Sequence, residues 1–188
     1  MSLKHAEHNP INRRTFLKLG IAGATAATLV PSSVFAKSVE ERHRSIALYN
    51  LHTGESIKTT YWEDGVYHAE ALQELNQLLR DHRNNELHAI DMKLFDLLHK
   101  IQQRSGSKKA FHVISGYRSP QTNALLHNTT HGVATKSLHM QGKAIDIRLP
   151  GFQLEDLRKV AMREKVGGVG FYPKSNFVHV DTGRVRYW

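Results

Sequence analysis

The chain has 188 residues, a formal net charge of +9 from 26 Lys and Arg against 17 Asp and Glu, and no cysteine. These facts exclude a disulfide-stapled scaffold and a thiolate metal site, and they leave room for one domain with a single core. The basic excess suits an anionic polymer or membrane surface, but the charges are scattered, with no dense stripe or aromatic–basic motif, which argues against nucleic acid.

Near the amino terminus, Asn12-Arg13-Arg14-Thr15-Phe16-Leu17-Lys18 sets two arginines before an uncharged stretch, Leu19 to Val30, rich in Ala and Gly. Pro31 follows, and then Val34-Phe35-Ala36. This reads as a twin-arginine signal peptide over residues 1–36, cleaved after Ala36, with the functional domain at 37–188. The alternative is an uncleaved membrane anchor, but an apolar core of about a dozen residues is short for a bilayer of roughly 30 Å. The expected location is therefore the periplasm or cell envelope, with no stable membrane insertion after cleavage. The remaining chain holds 22 basic and 16 acidic residues, a net of +6.

Two alternating segments, 45–51 and 56–62, flank His52-Thr53-Gly54-Glu55 and predict a hairpin. Leu72, Leu75, Leu78 and Leu79 predict one amphipathic helix, and Leu94, Leu97, Leu98 and Ile101 a second. A short strand from Phe111 to Ile114 leads into Ser115-Gly116-Tyr117-Arg118-Ser119-Pro120, where Ser119 is placed to cap a helix that starts at Pro120. Residues 128–138 are polar and turn-prone, as in a rim loop. Lys143 to Leu149 predicts a strand closed by Pro150-Gly151, and Leu154 to Met162 a helix ended by Gly167-Gly168. Strands are expected at 169–172, 177–181 and 185–188.

The chemistry concentrates in Ser137-Leu138-His139-Met140-Gln141-Gly142-Lys143-Ala144-Ile145-Asp146 and in Phe177-Val178-His179-Val180-Asp181. Two histidines and a carboxylate are ligand types of an open, hydrolytic zinc site. A regular strand would hold His139 and Asp146 roughly 23 Å apart on opposite faces, and a helix about 10 Å apart. Ligands of one ion must lie within roughly 3.5 Å of each other. The three can therefore meet only if the chain reverses between the first two, and Gly142 is placed to allow that. Taken alone, Asp146 in an apolar strand is read as half of an Asp–Arg or Asp–His pair beside the sheet.

The combination of Ser115-Gly116-Tyr117-Arg118-Ser119, Ser137-x-His139-x-x-Gly142-x-Ala144-x-Asp146 and His179-Val180-Asp181 resembles the M15-type zinc peptidases of peptidoglycan. The stretch from Gly167 to Gly183 is similar to the murein endopeptidase branch of that family, and the likeness covers essentially the whole of residues 37–188. It reverses the reading of Asp146 as a mere ion-pair partner. The resemblance implies an α+β fold: a single compact domain with helices packed on a small central antiparallel sheet that carries the metal. It implies Zn(2+) on His139, Asp146 and His179, with water in the fourth position, and Arg118 steadying substrate or the developing oxyanion. Ser137 is expected to hold the His139 loop by a local hydrogen bond.

Several M15 relatives place Glu or Asp three residues before the last zinc histidine as general base, and related lysostaphin-like enzymes use a histidine two residues before it. Here those positions are Asn176 and Phe177, and neither can take a proton. Asp181, two residues after His179 and on the same strand face, is the candidate for base or for orienter of the ligand. His127 and His131, in or beside the rim loop, are read as solvated. The function implied is hydrolysis of peptidoglycan cross-links between stem peptides. The alternatives are a D-Ala-D-Ala carboxypeptidase or dipeptidase, and a non-catalytic zinc-containing peptidoglycan-binding protein, which Asn176 favours. No nucleophile elbow, phosphate-binding glycine loop or dinucleotide fingerprint is present.

Overall fold

Asn50 sets the first turn. Its side-chain oxygen accepts from the backbone N–H groups of His52 and Thr53, and Gly54 adopts a left-handed φ of 74°. Strands β1 (His43–Asn50) and β2 (Ser56–Glu63) therefore pair antiparallel as the predicted hairpin, and a short β3 (Val66–Tyr67) extends it. The computed structural model describes residues 42–130 and 133–188; the signal peptide expected at 1–36 and His131 lie outside the described residues.

Helices α1 (Ala69–Leu78) and α2 (Met92–Ser105) bury the faces that their leucine spacing predicts. Asp91 caps α2 by accepting from Lys93 N–H, and Gly106 closes it in left-handed geometry. Strand β4 (Phe111–Ser115) precedes α3 (Pro120–Thr129), which begins as expected at Ser119-Pro120, with Ser119 Oγ accepting from Thr122 N–H. A single 3₁₀ turn, Leu138–Gln141, leads into β5 (Ala144–Arg148). After α4 (Leu154–Glu164) come β6 (Gly168–Tyr172), β7 (Phe177–Asp181) and β8 (Arg186–Tyr187).

The α+β class is as expected, but the sheet is larger and less uniform. Its eight strands run β3-β2-β1-β4-β5-β7-β6-β8, and the β1–β4 and β6–β8 contacts are parallel. The four strands β4-β5-β7-β6, which carry Asp146 and His179, pair antiparallel with their neighbours, while His139 lies on the 3₁₀ turn before β5. Helix α4 runs two residues past Met162 and ends at Lys165, which takes a left-handed φ of 52°. Gly167 and Gly168 serve β7 instead of stopping the helix: a Cβ at Gly167 would strike the Asp181 carbonyl.

Alternation divides the sheet chemically. Ile145, Ile147, Val178 and Val180 point into a core shared with Leu94, Phe95, Leu98 and Leu157. Truncating a fully buried leucine such as Leu94 to Ala costs about 2–5 kcal/mol in such a setting. The opposite face carries polar residues, and the site lies there. Among the described residues no helix is long and apolar enough to cross a membrane.

Candidate metal centre

Register lines up the site. Ser115 pairs with Asp146, Asp146 with His179, and His179 with Gly170, so one lateral row crosses β4, β5, β7 and β6 on the polar face. A second row sets Ala144 beside Asp181, with Gly168 paired to Arg186 on the far side.

His139 reaches this row from the 3₁₀ turn. Ser137 Oγ accepts from His139 N–H at 3.3 Å, the local bond expected of it. Gly142 ends the turn in left-handed geometry (φ 62°), its N–H bonding the His139 carbonyl while Lys143 N–H bonds Leu138. This reversal supplies the turn that the sequence required between His139 and Asp146. It is also tightly seated, because the Gly142 carbonyl accepts from Asp91 N–H and a Cβ at Gly142 would strike the Ala89 carbonyl.

Three ligand atoms converge. His139 Nε2 lies 3.2 Å from His179 Nδ1 and 3.3 Å from Asp146 Oδ1, and His179 Nδ1 lies 2.9 Å from the same oxygen. Bonds of about 2.0–2.2 Å in a tetrahedron put ligand atoms roughly 3.3–3.5 Å apart, so this triangle fits a zinc-sized ion with small adjustment. The outer nitrogens fix the tautomers. His139 Nδ1 faces the Gly116 carbonyl at 2.7 Å, which can only accept, so that nitrogen carries the proton. His179 Nε2 faces the Asp181 carboxylate at 3.1 Å, again an acceptor. In the neutral rings both inward nitrogens therefore present lone pairs beside a carboxylate oxygen, an arrangement that either an added proton or a metal cation satisfies.

A proton is held strongly by the same arrangement. Burial disfavours charge on His179, but its bonds to Asp146 and Asp181 outweigh that and push it up to about 9. Burial likewise opposes charge on Asp146, and the two histidines reverse the effect, holding its carboxyl well below the usual range.

Arg118, from the loop after β4, is buried beside the cluster. Its Nη2 lies 3.9 Å from Asp146 Oδ2 and 3.4 Å from Ser115 Oγ, and its Nη1 bonds Asn123 at 3.3 Å. Burial pulls this guanidinium below its ordinary value, against the opposing charge of Asp146, and its Nε has no partner. The loop is held by Arg118 N–H to the His139 carbonyl, Tyr117 N–H to Leu79, and Tyr117 Oη to Glu86.

Asp181 is fully buried and saturated with donors. It accepts from Gly168 N–H and Gly183 N–H at 2.9 Å, from two Arg186 nitrogens at 2.7 and 3.2 Å, and from His179. Burial alone would raise its pKa; these bonds hold it well below the carboxylate range. Both oxygens of this carboxylate are thus engaged by donors, one of them the outer nitrogen of His179.

A groove of about 270 Å³ opens over the cluster, lined by His139, Asp146, His179 and Arg118 and walled by Tyr172, Phe177, Lys136 and Trp188. Asn176 does not line it. That residue sits in the β6–β7 turn with a left-handed φ of 54°, beside a different hollow. Phe177 does line it. His127 is tied to the Val133 carbonyl at 2.7 Å and stands outside the lining. Tyr172 and Trp188 were missed in the sequence. The signal for them was Gly168-x-Gly170, two bare positions on one face of a strand, which mark where neighbouring side chains cross it.

A family model describing the peptidoglycan L,D-endopeptidase MepK matches residues 38–188. The chain is 45% identical over 177 residues to the peptidoglycan L,D-endopeptidase MepK of Escherichia coli (strain K12), covering 94% of this chain and 97% of that protein. The protein of the same description from Shigella flexneri shows the same identity and coverage. A probable peptidoglycan L,D-endopeptidase MepK of Haemophilus influenzae is 39% identical over 178 residues, covering 94% of this chain and 95% of that relative.

Proposed function

The chain belongs to the peptidoglycan L,D-endopeptidase MepK family of M15 metallopeptidases, and from that premise we propose that it hydrolyses peptide cross-links of peptidoglycan with zinc as its metal. The observation that carries this reading is the triangle of inward lone pairs and one carboxylate oxygen at 2.9–3.3 Å, each imidazole fixed by a bond at its outer nitrogen. The name of the relatives directs the reading to a bond between an L- and a D-configured centre.

His139, Asp146 and His179 would hold the metal. When bound, zinc supplies Lewis acidity toward the scissile carbonyl and lowers the pKa of a coordinated water toward neutrality. The protein's own contribution is orientation. Gly116 and Asp181 lock the two imidazoles so that neither has to turn as charge develops. Arg118 offers a planar positive donor group to a carbonyl oxygen that gains negative charge. We assign Asp181 to holding His179 rather than to accepting the proton of water, because its lone pairs are occupied by five donor contacts. The twin-arginine pattern in residues 1–36 supports export to the periplasm or envelope, where such a substrate lies.

Digesting purified sacculi with the protein, with and without a chelator, and identifying the peptide products by mass tests the reading. Expected are cross-link cleavage products that vanish with chelator and return with zinc. Release of only terminal D-Ala would select the carboxypeptidase. Retention on sacculi with no products at any zinc level would select a binding protein.

A further inference from the structure

Tyr172 stands on β6 two residues from Gly170, and alternation puts both on the face that bears the ligand row. Its cross-strand partner on β7 is Phe177, and the two rings stack with centroids 4.6 Å apart and planes 20° apart. Its oxygen is held separately: Trp188 Nε1–H donates to Tyr172 Oη at 2.8 Å.

The indole is itself fixed. It lies across the bare position of Gly170, where a Cβ would come within 2.6–2.8 Å of three ring atoms. One side meets the His179 ring at 5.4 Å, and the Arg186 guanidinium, which also grips Asp181, stacks over it at 4.9 Å. Trp188 thus links the orientation of Tyr172 to the scaffold that holds a ligand histidine.

A phenol has one hydrogen to donate and two lone pairs to accept with. In Tyr172 the indole occupies the acceptor side, and among the described residues nothing receives the hydroxyl hydrogen. Accepting one bond strengthens the other as a donor. The group lines the groove together with Arg118 and the three ligand residues. A peptide backbone crossing that groove offers carbonyl oxygens.

We propose that Tyr172 is a substrate-contacting residue whose hydroxyl donates to a carbonyl oxygen of the bound peptide, and that Trp188 is the positioning residue that sets its direction. This rests on the reading of the groove as a peptide-hydrolysing site. The identity and direction of the donor come from this chain's own contacts.

The test uses the zinc-loaded protein and cross-linked muropeptide dimers released from sacculi. Tyr172→Phe keeps the ring on Phe177 and removes only the O–H. It is expected to lower kcat/KM about tenfold with zinc content unchanged, the size of one lost hydrogen bond. Trp188→Phe should cost about threefold, and the double variant should be no worse than Tyr172→Phe alone, because both act through one hydroxyl. Tyr172→Phe within twofold of the native protein, or costs that multiply in the double variant, would overturn the proposal. If Tyr172→Phe folds poorly, 3-fluorotyrosine at 172 replaces it. The ring fluorine makes the O–H a stronger donor and should raise kcat/KM measured at mildly acidic pH, and an unchanged kcat/KM counts against the donor role. If the native protein cleaves nothing, the functional reading fails by itself. Calorimetric binding of the same dimers then decides the inference, with a tenfold weaker Kd in Tyr172→Phe expected and equal affinities overturning it.

Discussion

Two aspartates, Asp96 and Asp146, each gather side chains around themselves in different parts of the molecule. Asp96, on α2, accepts from Arg44 at 2.9 Å and from the hydroxyls of Tyr61 and Tyr67 at 3.1 and 2.8 Å. Every partner in that cluster brings a hydrogen, so the carboxylate is satisfied by the chain itself. Asp146, on β5, gathers His139 and His179, whose outer nitrogens have already given their hydrogens to Gly116 and Asp181. What reaches Asp146 is the inner nitrogen of each ring, which has a hydrogen to offer only when the neutral ring takes up a further proton. The first cluster is complete, while the second is satisfied only when a proton or a cation joins it, and the difference lies in which end of each partner is turned inward.

Removing a ligand should separate the two clusters most sharply. His179→Ala or His139→Ala is expected to lower cross-link hydrolysis by at least about 10³-fold, read as muropeptide release at saturating zinc. Full activity in His179→Ala would sink the assignment. Next in size, Asp181→Asn removes the charge that fixes the tautomer of His179 and should weaken zinc affinity about 10- to 100-fold, measured by competition with a chromogenic chelator. An unchanged affinity would mean that Asp181 serves only Arg186.

A third expectation concerns pH. The folded-state pKa of His179 in the metal-free protein is raised from 6.5 to about 9. Its contribution is therefore fully present below pH 6.5 and is lost as pH rises through 9, a change of at most roughly 3 kcal/mol. The urea midpoint of metal-free protein should fall across that window, whereas zinc-loaded protein, with the lone pair engaged, should lack this fall. The smallest effect belongs to the complete cluster. Tyr67→Phe removes one donor from Asp96 and should cost about 1 kcal/mol in stability with hydrolysis unchanged. A loss of activity there would show that the two clusters are coupled.

Much of this comparison could be read in the sequence, and the limits of that reading are physical. The spacing of His139, Gly142 and Asp146 demanded a reversal, and the left-handed Gly142 provides it. Alternation put Asp181 and His179 on one face. It could not reveal that Arg186, on β8 and separated from β7 by β6, would reach the carboxylate across the gap left by Gly168. Periodicity located every strand but the two-residue β3, and not their neighbours, so the parallel β1–β4 contact and the eight-stranded span do not follow from it. Asn176 drew attention as a missing base; its place is a tight turn, where a left-handed backbone suits asparagine. Arg118 carried no local sign of its burial, because its partners Ser115, Asn123 and Asp146 come from three separate elements.

His139 and His179 stand 40 positions apart in the chain. On the reading proposed above, an ion shared between them would close a loop containing β5, α4 and β6, as a reversible staple would, and so restrict the unfolded ensemble as well as complete a site. Loading and folding of this segment would then be one equilibrium, with local opening there rarer in filled copies than in empty ones.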